Sequence, residues 1–306
     1  MSWTVHLAMA TTQLIFASLP IAAKFVLPSI GPVGILFFRV TGAAVAFAAI
    51  RAVAATERIT NRRDLWALAG LSLIGVVLNQ LLFLEGTKRT TAINTNVLIT
   101  TIPVFTLAIA LLLRRERAST AKVGGIVLAA AGALYLIGLD RVQLDRGGTV
   151  GAALIAGCTF LYAGYLVLSK GLLQRYQPLT VVTHVFVFAG VIVLPMGLVA
   201  LRDVNLAMQP TRALVGLAYI VVFPSIVAYF LSVWALRRTA SSLVAMYVYL
   251  QPLVTAVAAP LILGERLTAR SGVAAVLIFA GLALATWGEL AAGQLGAAFR
   301  PPSEGV

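Results

Sequence analysis

Ten stretches of this chain are almost free of charge, and each is long enough to cross a bilayer. They cover residues 5–27, 32–52, 64–85, 91–113, 119–138, 148–169, 179–200, 211–234, 240–263 and 269–290. At 1.5 Å of rise per residue, about 20 residues traverse the ~30 Å of hydrocarbon in a membrane. No water is present there to satisfy backbone N–H and C=O groups, so each run is expected to close its hydrogen bonds internally, as a helix. Composition agrees: 11% of residues are charged and 60% apolar, against roughly a quarter and a half in soluble domains. The expected class is an all-α integral membrane protein with ten transmembrane helices.

The chain also repeats itself. Lys88-Arg89-Thr90, Pro103, Glu116-Arg117, Ser119 and Gly132 recur as Arg237-Arg238-Thr239, Pro252, Glu265-Arg266, Thr268 and Gly281 at one offset of 149 residues. A weaker upstream correspondence sets Lys24 beside Lys170, Phe16 beside Tyr162, and Arg39 beside His184. The expected organisation is a first repeat over 1–139, a second over 148–290 and a flexible tail over 291–306. Five is an odd number of crossings, so the second copy should enter the membrane inverted. Inverted repeats typify secondary transporters, in which one half rocks against the other around a central site.

The net charge of +13 does not point to nucleic acid, because the basic residues lie between apolar runs, where they act as topology signals. With the N-terminus cytoplasmic, the 23 Lys and Arg divide thirteen inside against nine outside, and Arg39 falls within a helix. Both termini are therefore expected inside. The uncharged start, Met1-Ser2-Trp3-Thr4, lacks the positive region of a cleavable signal, so the first run is read as a retained helix. Cys158 is the single cysteine, which excludes an internal disulfide and reads as a packing residue.

Polar and aromatic side chains within the runs are the candidate cavity wall. They are Gln13, Asn79, Gln80, Phe83, Asn96, Thr100, Tyr162, Tyr165, Tyr229, Trp234, Tyr247 and Gln251. An amide in hydrocarbon must find a partner or water and so tends to face inward, whereas some Tyr and Trp belong to the interfacial belt instead. Pro103 and Pro252 each remove a backbone donor, freeing the carbonyls of Ile99 and Val248; they are either hinges beside a cavity or packing kinks. Lys24, Arg39, Lys170 and His184 are candidates for gating or charge roles. The two lysines sit where snorkelling to the interface is the alternative, and His184 is either a packing residue or a proton relay. Glu116 and Glu265 precede Ser119 and Thr268 and suit the capping of the helix that follows.

Paired buried carboxylates, which proton-driven pumps use, are missing from the runs. A Walker A motif, a His-Glu-x-x-His motif and a Gly-x-Ser-x-Gly motif are missing as well, which argues against ATP hydrolysis and against a membrane enzyme.

The stretch Thr91-Ala92-Ile93 through Pro103 to Leu113-Arg114-Arg115-Glu116-Arg117, and its copy from Ala240 through Pro252 to Leu263-Gly264-Glu265-Arg266-Leu267-Thr268, resemble the drug/metabolite transporter superfamily, in its EamA branch. Lys24 and Arg39 match basic residues of the first two helices in that family, while Arg115 departs from the glycine that Gly264 supplies in the second copy. The resemblance implies a basket of ten helices with a cavity formed by the first, third, fourth, sixth, eighth and ninth. It also implies export of amino acids, their derivatives, nucleosides or toxic compounds across a bacterial inner membrane; amino acid exporters of the YddG type are similar in length and topology. The expectation is thus an inner-membrane amino acid exporter of broad range, aromatic residues included, working by alternating access, with the scarcity of acids for ion coupling pointing to a facilitative cycle. Its partners are small-molecule substrates and lipids, not nucleic acid; no cofactor or metal is expected, and the protein is read as a monomer or weak oligomer. A proton-coupled drug or metabolite exporter is the alternative, and a membrane enzyme or lipid-handling protein the alternative class.

Overall fold

The computed structural model describes residues 2–54, 56–90, 95, 98–137, 146–254 and 272–285. Among these there is helix and no strand. The principal helices are α1 (Trp3–Val53), α2 (Arg62–Arg89), α3 (Ile102–Leu112), α4 (Thr120–Ile137), α5 (Arg146–Leu173), α6 (Pro178–Ala200), α7 (Thr211–Arg238), α8 (Ser241–Val254) and α9 (Gly272–Ala285). α1, α2, α6, α7 and the Thr149–Leu173 part of α5 are long and apolar enough to cross a membrane. α1 is too long for one crossing and breaks at Gly31, whose φ of 73° is left-handed. That backbone conformation favours glycine, and Pro28 and Pro32 flank the break. Two of the expected runs, 5–27 and 32–52, therefore meet at one glycine without a loop.

Much of the outer surface is apolar. Leu14, Val45, Val104, Leu112, Val191, Leu198, Val215, Val276 and Phe279 are exposed, as expected where lipid replaces water around an apolar helix. Inside, α1 packs on α6 and α7, and Phe47, Phe186 and Tyr229 form a chain of rings with centroids 5.5 and 5.1 Å apart. Polar contacts gather at the helix ends. Asn61 caps α2 by accepting from Arg63 N at 2.9 Å. Asp64 accepts from Arg175 Nη1 at 2.7 Å and Tyr176 Oη at 2.8 Å, and Glu57 accepts from Gln177 N. These bonds place the start of α2 beside the α5–α6 connection.

Two helices depart from α geometry in mid-course. α2 is π-helical over Leu73–Leu78 and α7 over Val221–Ala228. The two segments sit at nearly the repeat offset, so Gly75 corresponds to Pro224 and Gln80 to Tyr229. α4 and α9 cross with their backbones almost touching: a Cβ on Gly125 would lie 2.6 Å from Gly281 O, and one on Gly281 2.6 Å from Gly125 O. Gly132 meets Ala274 O at 3.1 Å by the same measure. The 149-residue offset exchanges the pair Gly125–Gly281 for the pair Ala274–Gly132.

Small residues permit this close packing, as at many membrane helix interfaces. Since the obstacle is backbone, it cannot turn aside. Gly125→Ala and Gly281→Ala should each destabilise the protein by about 1–3 kcal/mol, seen as a lower Tm in detergent. Gly124→Ala, whose added Cβ meets only Leu284 Cδ2 at an ordinary 3.6 Å, should leave Tm unchanged.

Candidate functional site

A narrow cleft of about 80 Å³ lies among α1, α2, α3, α5, α7 and α8, smaller than the usual small-molecule site of several hundred Å³, so a solute enters it only as the helices part. Its polar wall consists of Gln13, Arg39, Asn79, Gln80, Thr159, Tyr162, Tyr229 and Gln251. Phe16, Phe83, Ile102 and Val248 supply apolar wall.

The irregular helical segments put these groups there. In α2 the π turn carries Gly75, whose carbonyl accepts from Tyr229 Oη at 3.2 Å, and Tyr229 Oη in turn accepts from Gln80 Nε2 at 3.2 Å. In α7, Pro224 has no N–H to give the carbonyl four residues earlier. That carbonyl, Ile220 O, accepts from Ser225 Oγ at 2.9 Å. Ser225 Oγ then accepts from Arg39 Nε at 2.9 Å. A proline thus leads, through one carbonyl and one hydroxyl, to the seat of an arginine that is 1% exposed. Arg39 has no ion pair among the described residues, and its Nη1 has no hydrogen-bond partner. Gln80 Oε1 is likewise buried without a partner. Elsewhere in the wall, Gln251 Nε2 donates to Gln13 Oε1 at 2.7 Å, and Asn79 Nδ2 donates to Cys158 O at 2.9 Å and Sγ at 3.2 Å.

Eight of the twelve expected wall residues line the cleft or stand behind it. Gln13, Asn79, Gln80, Phe83, Tyr162, Tyr229 and Gln251 are in its wall. Tyr165 is buried behind Tyr162, their rings stacked at 6.1 Å. Thr100 is buried outside the wall, and Asn96 lies outside the described residues. Tyr247 is turned to His6, with which its hydroxyl hydrogen-bonds. Trp234 faces a surface crevice with Thr4, Leu7 and Phe230 and carries the Arg238 guanidinium 3.7 Å from its ring centre.

Among the charged candidates only Arg39 reaches the cleft. Lys24 is exposed, consistent with snorkelling. Lys170 donates to Leu236 O at 2.6 Å and to Thr239 O, satisfying carbonyls at the end of α7. His184 Nδ1 lies 2.8 Å from Thr180 O on its own helix. Pro103 does not kink a continuous helix: the chain turns at Thr100–Thr101 and Pro103 enters the first turn of α3, where its missing N–H has no intrahelical role. Pro252 follows a 3-10 turn at Tyr247–Tyr249 within α8. Sequence reasoning read Cys158 as packing, yet it lines the cleft; it also overlooked Thr159, which no charge or aromatic ring distinguishes.

Ser119 caps α4 as expected, accepting from Lys122 N at 3.1 Å. Glu116, by contrast, turns to the other half of the chain. It accepts from Ser242 N at 3.1 Å and from Ser242 Oγ, at the N-terminus of α8, and from Lys122 Nζ at 2.8 Å. Glu265 lies outside the described residues.

The family model of EamA-like transporters matches residues 3–138 and again 149–287. This chain belongs to the EamA-like transporter family. A transporter of Archaeoglobus fulgidus is 28% identical over 287 residues, which is 94% of this chain and 98% of that protein. A protein of Streptantibioticus cattleyicolor named as a probable terminal-alkyne amino-acid exporter is 28% identical over 261 residues, 84% of this chain and 85% of its own. A solved crystal structure superposes with a TM-score of 0.73, covering 94% of this chain and 98% of that one at 17% identity, a likeness of fold. The protein is therefore a multi-pass membrane transporter, and the cleft is its candidate substrate site.

Burial alone pushes the Glu116 carboxyl up, but the hydrogen bonds from Lys122 and Ser242 and the Lys122 charge together hold it below its ordinary value of 4.5. A depressed folded-state value means the carboxylate stabilises the transporter above that ordinary value and loses its effect as pH falls through the folded-state value. Glu116→Gln should cost about 1–3 kcal/mol at pH 7, the scale of charge-assisted hydrogen bonds. Tm of the variant and of the parent should converge as pH is lowered below 4.5.

Proposed function

We propose that this transporter exports amino acids, aromatic ones included, across a bacterial inner membrane by alternating access. The supporting observation is the wall of the cleft, where amides (Gln13, Asn79, Gln80, Gln251) and rings (Phe16, Phe83, Tyr162, Tyr229) enclose one space. Amides can bond a polar headgroup from several sides, and the rings offer apolar faces to a hydrophobic side chain. No Asp or Glu stands among the described lining residues, which favours a facilitative cycle over proton coupling and disfavours a cationic drug as cargo. The related amino-acid exporter of Streptantibioticus cattleyicolor lends further weight.

The architecture in this reading is ten crossings in two inverted five-helix repeats, 1–139 and 148–290, with both termini cytoplasmic. Three features support it: the twofold match of the family model, the π segments at the repeat offset, and the exchange of Gly125–Gly281 for Ala274–Gly132 by the same offset. The substrate sits between the halves. Tyr229 with Gln80 and Gln13 with Gln251 are cross-half bonds that break and re-form as the halves rock. The turn at Thr100–Thr101 that precedes Pro103 and the 3-10 turn at Tyr247–Tyr249 that precedes Pro252 are the hinges.

Reconstituted in liposomes, the purified protein should support counterflow of radiolabelled amino acids, and Tyr162→Ala should raise KM for phenylalanine more than for alanine. Movement of a cationic dye with no movement of any amino acid would sink the assignment.

A further inference from the structure

A buried cation inside a membrane protein is expensive and normally paired. Arg39 is the charged side chain in the described wall of the cleft, and it is not paired. It is held at Nε by Ser225 and has an unpartnered Nη1. Guanidinium is the side chain whose flat array of donors best fits a carboxylate. The seat is anchored on α7: Ser225 Oγ donates to Ile220 O, next to the conformationally restricted Pro224. The second unsatisfied polar atom in the wall has the opposite character. Gln80 Oε1 is a buried acceptor without a partner, and its amide nitrogen is already given to Tyr229. The cleft thus presents one donor with positive charge and one neutral acceptor, with Tyr229 lining the same wall. A buried polar group without a partner costs about 1–3 kcal/mol, more when charged, so a ligand satisfying both groups gains by what the empty site lacks.

We infer that Arg39 is the carboxylate receptor of the substrate site and Gln80 Oε1 the acceptor for its ammonium group. The inference rests on the proposed amino-acid export and adds to it the recognised group and its orientation. The α-carboxylate lies towards α1 and α7 on the guanidinium, the α-ammonium towards α2. The side chain is left to Phe16, Phe83 and Tyr162. Selectivity is then strict for the headgroup and loose for the side chain, because the rings hold no fixed polar partner for it.

The test uses the full chain in liposomes and, in parallel, thermal stabilisation in detergent. Four probes are compared: L-phenylalanine, 3-phenylpropionate without the ammonium, phenethylamine without the carboxylate, and phenylalanine amide with its carboxylate neutralised. In the parent protein, phenylalanine should be handled best, and loss of the carboxylate should cost about ten- to a hundred-fold in apparent affinity, the equivalent of one charge-assisted hydrogen bond. Arg39→Gln should remove that difference, weakening phenylalanine and 3-phenylpropionate while leaving phenethylamine unchanged. Gln80→Leu should weaken phenylalanine and phenethylamine and spare 3-phenylpropionate. Should Arg39→Gln fail to fold, Arg39→Lys keeps the charge, and Ser225→Ala removes the seat while keeping Arg39; Ser225→Ala should raise KM for the carboxylate probes alone. Equal handling of phenethylamine and phenylalanine by the parent, an equal loss for all probes in the Arg39 and Ser225 variants, or no carboxylate-dependent response at all would overturn the inference. Carriage of 3-phenylpropionate that needs Arg39, with no amino acid carried, would refute amino-acid export and leave the carboxylate site standing. Amino-acid transport that is indifferent to Arg39 would do the reverse.

Discussion

Hydrocarbon gives the backbone nothing to bond to, and the rest of this structure depends on that constraint. A carbonyl freed inside a membrane helix must be answered from within the protein. The π turn at Leu73–Leu78, the π turn at Val221–Ala228 and the interruption at Thr100–Thr101 all lie beside the cleft or a few residues from it. At Gly75 a tyrosine hydroxyl supplies the answer, and at Ile220 a serine hydroxyl does. Irregular backbone and polar side chains are therefore two parts of one arrangement. Beside each π turn a hydroxyl donates to a backbone carbonyl, and that hydroxyl also holds an amide in one case and a guanidinium in the other.

The same constraint explains why the ends of the helices carry so much of the remaining polarity. Asp64, Glu57 and Lys170 all answer groups at helix termini or in the connections between them. Glu116 does so across the two matched segments of the family model. Its carboxylate binds the first turn of α8, which leads directly to Gln251 in the cleft wall. A contact at the periphery is thereby joined to the site by one short helix.

Much of this was legible in the chain. The uncharged runs announced the helices because no other structure can hide that much apolar sequence. Gln13, Asn79, Gln80 and Gln251 were legible because an amide in an apolar run is costly unless it faces a partner. Aromatic residues were harder. Tyr229 and Tyr162 face the cleft while Tyr247 and Trp234 do not, since a ring with a polar edge is equally at home against lipid, beside a helix end or in a cavity. Charge was ambiguous for a related reason: Lys24 and Arg39 both lie in the first helical pair, but reach to the interface is open to one and closed to the other. The π turns left no periodic signal. Pro224 sits within an otherwise ordinary apolar run, and its meaning depends on Ser225 and Arg39, 186 positions apart in the chain.

The bond between Gln80 and Tyr229 joins residues 149 positions apart, the same place in each copy of the duplicated sequence. Under the inverted arrangement proposed above, these two side chains meet on the pseudo-twofold axis. A wall with perfect twofold symmetry would offer a solute two equivalent poses, head-first and tail-first. With an amide in one copy and a phenol in the other, and with Arg39 in the cleft while His184 turns to its own helix, such a centre would be polar in one sense only. In the proposed site the cargo would then have a single way to lie, a direction that duplication alone would not supply.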